Sequence, residues 1–233
     1  MLGLGVYKAA AGEEAYESVL SALRLGYRHI DTARLYENEA DVGRAIFITS
    51  KLREFHWGYD KALEGARSSN DLIGCSYIDL FLLHQPFDPK LRADTWRALE
   101  DLQKEGVLRD IGVSNFGEAH LAKLAETRKV KPAVNQIELH PWLTRQSLVN
   151  YCEENGIHVQ AFSPLARVKK MTTRDLMNFP RKIHHFTQVG ARSETAGEPG
   201  AANVKLTPEQ VTRLDAFNED FYSGTDHVSN SAV

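Results

Sequence analysis

Residues 77–84 read Tyr77-Ile78-Asp79-Leu80-Phe81-Leu82-Leu83-His84, an apolar run of strand length that ends in an ionisable side chain. Pro86 and Pro89 then mark a loop, and a helical pattern follows. The same succession recurs at Tyr27-Arg28-His29-Ile30-Asp31, at Ile111-Gly112-Val113-Ser114-Asn115 and at Val134-Asn135-Gln136. Strands that each feed a helix build a parallel sheet. A chemical group at the tip of strand after strand points to a (β/α)8 TIM-type barrel, whose active site is assembled from the C-terminal strand ends.

Working outward, the pattern places strands at Leu2 to Tyr7, Tyr27 to Asp31, Phe47 to Lys51, Tyr77 to His84, Asp110 to Ser114, Ala133 to Leu139 and Ile157 to Phe162. Helices are expected from Glu13 to Leu25, Glu37 to Ile46, Tyr59 to Ala66, Thr95 to Glu105 and Glu118 to Glu126. Asp94 is read as the N-cap of the fourth of these, and Thr144 as the N-cap of a further helix that Gly156 ends. Residues 166–205 lose this regularity, with His185 to Val189 a poor candidate for an eighth strand, so the barrel reads as incomplete there. Thr207-Pro208-Glu209-Gln210 is a capping box that opens a last helix, and residues 221–233 form a tail. The whole of 1–233 is read as one domain.

With 42% hydrophobic and 25% charged residues, the composition is that of an ordinary globular protein. A net charge of −3 with no basic stripe argues against nucleic acid as a partner. No run approaches the roughly 18 apolar residues of a membrane span, and Met1-Leu2-Gly3-Leu4-Gly5 is not a secretory leader. Cys75 and Cys152, both within helical patterns, read as reduced core thiols, in keeping with a cytoplasmic protein. Gly3-Leu4-Gly5 lacks the third glycine of a dinucleotide fingerprint.

Asp31, Tyr36, Lys51 and His84 stand on three successive strand ends, or just beyond them, and would converge on one rim. A tyrosine is a poor acid at neutral pH; a nearby ammonium favours its phenolate and lowers its pKa, and a carboxylate keeps that ammonium charged. A histidine beside the tyrosine can hydrogen-bond a substrate oxygen. Such a set suits protonation of an oxygen on which charge develops, as in carbonyl reduction.

Seven motifs, Gly3-Leu-Gly-Val-Tyr7, Gly26-Tyr-Arg-His-Ile-Asp-Thr-Ala33, Phe47-Ile-Thr-Ser-Lys-Leu52, Asp79-Leu-Phe-Leu-Leu-His84, Ile111-Gly-Val-Ser-Asn-Phe116, Asn135-Gln-Ile-Glu-Leu-His-Pro141 and Ala161-Phe-Ser-Pro-Leu165, closely resemble the aldo-keto reductase family in order and wording. The resemblance implies an NADPH-dependent (NADP+ in reverse) oxidoreductase that reduces an aldehyde or ketone to an alcohol. In that reading Tyr36 is the proton donor, Asp31 and Lys51 tune it, and His84 orients the substrate. Ser114, Asn115 and Gln136 would hold the nicotinamide carboxamide, and Phe162 replaces the tyrosine usually stacked on the ring. Ser163 and Leu165 would lie near the pyrophosphate, with Arg192, Ser193 and Asn203 as faint echoes of the 2′-phosphate grip. Tyr7, His84 and Gln85 would face a small carbonyl substrate, in a monomer. Gln85 and Arg53 replace common tryptophans and make the pocket more polar.

The chain also departs from the family. It begins at the first barrel strand, without the hairpin that usually closes the floor. Helix and strand abut at Ile46-Phe47, so part of Val42 to Ile46 must unwind or the strand must start late, which would displace Lys51. Two rivals follow: a non-catalytic relative with a degenerate cofactor site, and a metal-dependent hydrolase using His29, Asp31, His84 and His140. His29 and His140 read more simply as structural, and His158, His184 and His185 lack ligand spacing.

Overall fold

The computed structural model describes residues 3–42, 47–164 and 166. Seven strands, β1 (Gly3–Gly5), β2 (His29–Asp31), β3 (Phe47–Leu52), β4 (Ile78–Leu83), β5 (Leu108–Ser114), β6 (Val134–Glu138) and β7 (His158–Phe162), form one sheet in sequence order. Every neighbouring pair is parallel. Helices α1 (Glu13–Arg24), α2 (Tyr59–Ile73), α3 (Arg92–Lys104), α4 (Glu118–Ala125) and α5 (Gln146–Glu154) lie in the crossovers that leave β1, β3, β4, β5 and β6. The expected eighth strand, the last helix and the tail lie outside the described residues.

Strand alternation divides the sheet into two chemically different faces. Ile30, Ile48, Leu52, Phe81, Leu83, Ile111 and Val113 join one apolar cluster with Val19, Ala66, Trp96, Leu99 and Leu102 of the helices. Asp31, Lys51, Leu82, Gly112, Ser114 and Gln136 occupy the alternate positions and point the other way. Lys51 pairs in register with Leu82, Leu82 with Gly112, and Ser114 with Gln136. A Cβ on Gly112 would meet Leu82 Cδ2 and the Val134 carbonyl oxygen, each at 2.7 Å, so this close approach demands glycine.

Local signals explain most of the elements. In α1, Glu13 and Glu14 open the first turn and Arg24 closes the last, both favourable to the helix dipole, while Ala15, Val19 and Ala22 face the core. In α2, Ala62, Ala66, Ser69 and Ile73 keep one buried face through a polar run, so the helix extends seven residues past the expected Ala66 to Gly74 in the left-handed region. Buried Glu100 accepts hydrogen bonds from the Lys129 and Val130 amides at 2.6 and 2.8 Å, tying α3 to the segment before β6.

Several expectations need correction. Among the described residues, the helix expected from Glu37 to Ile46 shrinks to a single 3-10 turn, Glu39–Asp41, preceded by another at Arg34–Tyr36. Strand β3 nevertheless starts where expected: Phe47 pairs with His29, and Lys51 keeps its place opposite Leu82. Strand β1 ends two residues before the expected Tyr7, and β5 begins two residues earlier than expected, at Leu108. Helix α3 begins at Arg92, so Asp94 lies inside its first turn and pairs with Arg97 at 3.1 Å instead of capping. Arg145, at φ 44°, takes the N-cap position expected of Thr144 and makes no side-chain cap. Cys75 sits in the turn after α2, while Cys152 is buried in α5; both are free thiols. No helix of the described residues is long and apolar enough to cross a membrane.

Candidate active site

The strand ends bring the four expected catalytic side chains together. Lys51, fully buried, donates to Asp31 Oδ1 at 2.6 Å and to the Thr32 carbonyl at 2.8 Å. Its Nζ lies 5.3 Å from the centre of the Tyr36 ring, close enough for each charge to bear on the other. The His84 ring meets the Tyr36 ring edge to face, with centroids 6.0 Å apart. Tyr7 packs on the other side at 5.0 Å. Asp31, Lys51 and Tyr36 thus form a continuous chain from a carboxylate through an ammonium to a phenol, with an imidazole alongside.

The electrostatics correct one expectation. Burial pushes the Tyr36 hydroxyl above its ordinary pKa, and the opposing pull of Lys51 does not overcome it. Tyr36 is therefore a firmly protonated phenol in this state. Burial alone would drag the Lys51 ammonium down, but Asp31 and Tyr36 together outweigh it and hold its pKa above the ordinary value.

Tyr36 owes its position to two residues that the sequence reading assigned to a helix. Buried Asn38 accepts from Thr32 Oγ1 at 2.7 Å and donates to the Val6 and Ala9 carbonyls at 3.0 and 3.1 Å. Glu39, also buried, accepts from Ser50 Oγ at 2.5 Å and stands 3.6 Å from Arg34. The loop carrying Tyr36 is thereby pinned to the tips of β1, β2 and β3. A polar Asn38-Glu39 pair two residues after Tyr36 was the only sequence signal for this.

A second cluster adjoins the first. Ser114 Oγ donates to the Gln136 carbonyl at 2.8 Å, and Asn115 Nδ2 donates to the His84 carbonyl at 3.0 Å. Gln136 Nε2 donates to Asp31 Oδ2 at 2.7 Å and to Gln160 Oε1 at 3.1 Å. Gln160 was not foreseen, although it alternates with Phe162 on β7. Ser114, Asn115 and Gln136 together offer the donors and acceptors that a primary carboxamide requires, so the site fits the nicotinamide end of the expected cofactor. Phe162 and Ser163 are half-buried at the tip of β7, and Gln85 is half-buried after β4. Leu165, Arg192, Ser193 and Asn203 lie outside the described residues.

His29 shares a 2.9 Å hydrogen bond with Thr49 and packs on Phe47, while buried His140 lies 3.3 Å from Glu138. Among the described residues no three His, Cys, Asp or Glu side chains converge as a metal site would require.

The chain resembles known proteins in both sequence and fold. The chain is 43% identical over 247 residues to glyoxal reductase of Bacillus subtilis (strain 168), covering 94% of this chain and 88% of that protein. Its fold superposes with a TM-score of 0.85, at 32% identity, on an aldo-keto reductase from a deep-sea metagenome library, covering 99% of this chain and 95% of that one. A Bombyx mori aldo-keto reductase solved in complex with NADP superposes with a TM-score of 0.79 at 26% identity, covering 96% and 91% of the two chains. The Aldo/keto reductase family profile matches residues 1–219, and with these relatives on both sequence and fold the chain belongs to the aldo/keto reductase family.

Proposed function

We propose that the protein reduces a small aldehyde or ketone to an alcohol with NADPH, acting as a cytoplasmic monomer, and that Tyr36 donates the proton. The observation that carries this reading is the buried Lys51 that joins Asp31 to Tyr36. Bound NADPH would supply the hydride to the carbonyl carbon. Ser114, Asn115 and Gln136 would hold its carboxamide and Phe162 would lie against its ring. Leu165, Arg192, Ser193 and Asn203 are proposed for the phosphate-bearing end.

The chain's own groups manage the charge on the oxygen. Tyr36, kept protonated by burial, hydrogen-bonds the carbonyl oxygen together with His84 and passes its proton as negative charge develops there. Lys51 stabilises the phenolate left behind. Asp31 keeps Lys51 charged and aimed.

Consumption of NADPH with glyoxal or simple aldehydes, compared between the parent and Tyr36→Phe, tests this reading. General acid catalysis contributes about 10²–10⁴-fold, and a loss of that size with NADPH affinity nearly unchanged is expected. Equal rates in the two proteins would refute the role of Tyr36. Stoichiometric NADPH binding without any carbonyl-dependent consumption would favour a non-catalytic binding protein instead.

A further inference from the structure

Arg53 stands one step beyond the catalytic layer. It follows the last residue of β3 in extended conformation, at φ −79° and ψ 152°, so strand alternation continues through it. It therefore shares the inward side with Lys51, and two residues of strand carry it about 7 Å closer to the barrel mouth. Its guanidinium rests on the Phe55 ring at 4.6 Å, which fixes its direction. Its ion-pair partner is Glu37, at 3.6 Å, beyond hydrogen-bond distance. The Glu37 side chain is 73% exposed, and such pairs contribute little. The Nε of Arg53 is buried without a hydrogen-bond partner among the described residues, so the outer nitrogens are the ones left to meet a ligand. Tyr7, packed on Tyr36, and Phe55, beneath the guanidinium, expose aromatic surface on either hand.

A positioned guanidinium in a weak, exposed ion pair, one layer above a carbonyl-reducing centre and bordered by aromatic surface, suits an anion joined to the carbonyl by a short carbon skeleton. Its planar fork matches a carboxylate. Resting on the carbonyl-reductase reading above, we propose that Arg53 is a specificity-determining residue, and that the preferred substrate is an aldehyde carrying a carboxylate a few bonds from the carbonyl carbon. Glu37, which directly follows Tyr36 at φ 59°, then acts as a weak internal competitor for the same guanidinium.

The opposite signs expected for the two partners make the test sharp. The holoenzyme with NADPH is assayed with 4-carboxybenzaldehyde and benzaldehyde in the parent, Arg53→Gln and Glu37→Gln, each checked for fold by circular dichroism. The parent should favour the carboxylate. Arg53→Gln should lose about 10- to 100-fold in kcat/KM for it, as expected for a charge-assisted contact, with benzaldehyde nearly unaffected. Glu37→Gln should raise kcat/KM for the carboxylate. Should Arg53→Gln not fold, Arg53→Lys, which keeps the charge without the fork, should show an intermediate preference. Losses of equal size on both aldehydes, or losses of the same sign in both variants, overturn the proposal and make the pair structural. If neither aldehyde consumes NADPH, the reductase reading falls, and calorimetric binding of 4-(hydroxymethyl)benzoate against benzyl alcohol decides Arg53 separately. Tighter carboxylate binding by the parent than by Arg53→Gln supports the assignment, and equal binding removes it.

Discussion

Lys51 shows how a buried charge is made useful. Taking an ammonium out of water is costly, and here Asp31, the Thr32 carbonyl and Tyr36 offset the cost by surrounding it with acceptors. Both Tyr36 and Lys51 have their pKa values raised above the ordinary 10.0 and 10.5, so the folded state holds protons that the unfolded chain releases first. The stability they contribute is fully present below those ordinary values and is lost as pH rises beyond them through the raised folded-state values. Thermal midpoints should therefore fall more steeply in the parent than in Tyr36→Phe as pH climbs past about 10. The reductive rate should stay level through neutral pH, since Tyr36 keeps its proton there. A midpoint equally pH-dependent in both proteins would show that Tyr36 titrates as it does in the unfolded chain. Reading residue types alone put the weight on lysine and its pull on the phenol. Burial, which sets the sign, becomes visible only once neighbours from four strands surround the ring.

At the scale of elements, the short turns after β2 position the chemistry more than any helix does. Strand tips were legible because an apolar run ending in a polar group is a local pattern, and Asp31, Lys51 and Ser114 fell at or next to strand ends, while Gln136 lies in the middle of β6. The segment after Tyr36 was not legible. The hydrogen bonds from Asn38 to Val6 and Ala9 span 32 and 29 positions, and no periodicity records them. The caps failed for a related reason: Asp94 and Thr144 are good capping residues, yet the helices start where Leu91 and Arg145 leave the preceding loops. Asn38→Ala removes the acceptor of Thr32 and the donor to Val6 and Ala9. It should destabilise the fold by about 1–3 kcal/mol, the cost of leaving buried partners unmet. It should also lower kcat far more than NADPH affinity, because Tyr36 loosens while the carboxamide cluster stays. Chemical denaturation and NADPH titration on the same variant would check both, and equal losses in kcat and affinity would contradict the loop's local role.

Over the whole molecule, the two faces of the sheet divide the work. The outward face, with Ile30, Ile48, Phe81 and Ile111, packs the helices, and the inward face carries a polar column from Asp31 through Lys51 to Ser114 and Gln136. Gly112 is where the two tasks meet. It lies in the layer of Lys51 and Leu82, it is flanked by the Val134 carbonyl, and Gln136 follows Val134 by two residues on β6. A methyl group there cannot be met by side-chain movement alone, since one of the two 2.7 Å contacts is backbone. Gly112→Ala should therefore shift β6 and cost about 1–3 kcal/mol, the usual range for overpacking a filled interior. Because β6 carries Gln136, the shift should also lengthen the 2.7 Å hydrogen bond to Asp31 and weaken NADPH binding, although residue 112 touches neither. A lower denaturation midpoint with an unchanged m-value, together with reduced NADPH affinity, is the expected outcome. A variant with normal stability and weakened cofactor binding, or the reverse, would show that the barrel interior and the carboxamide cluster are not coupled through β6.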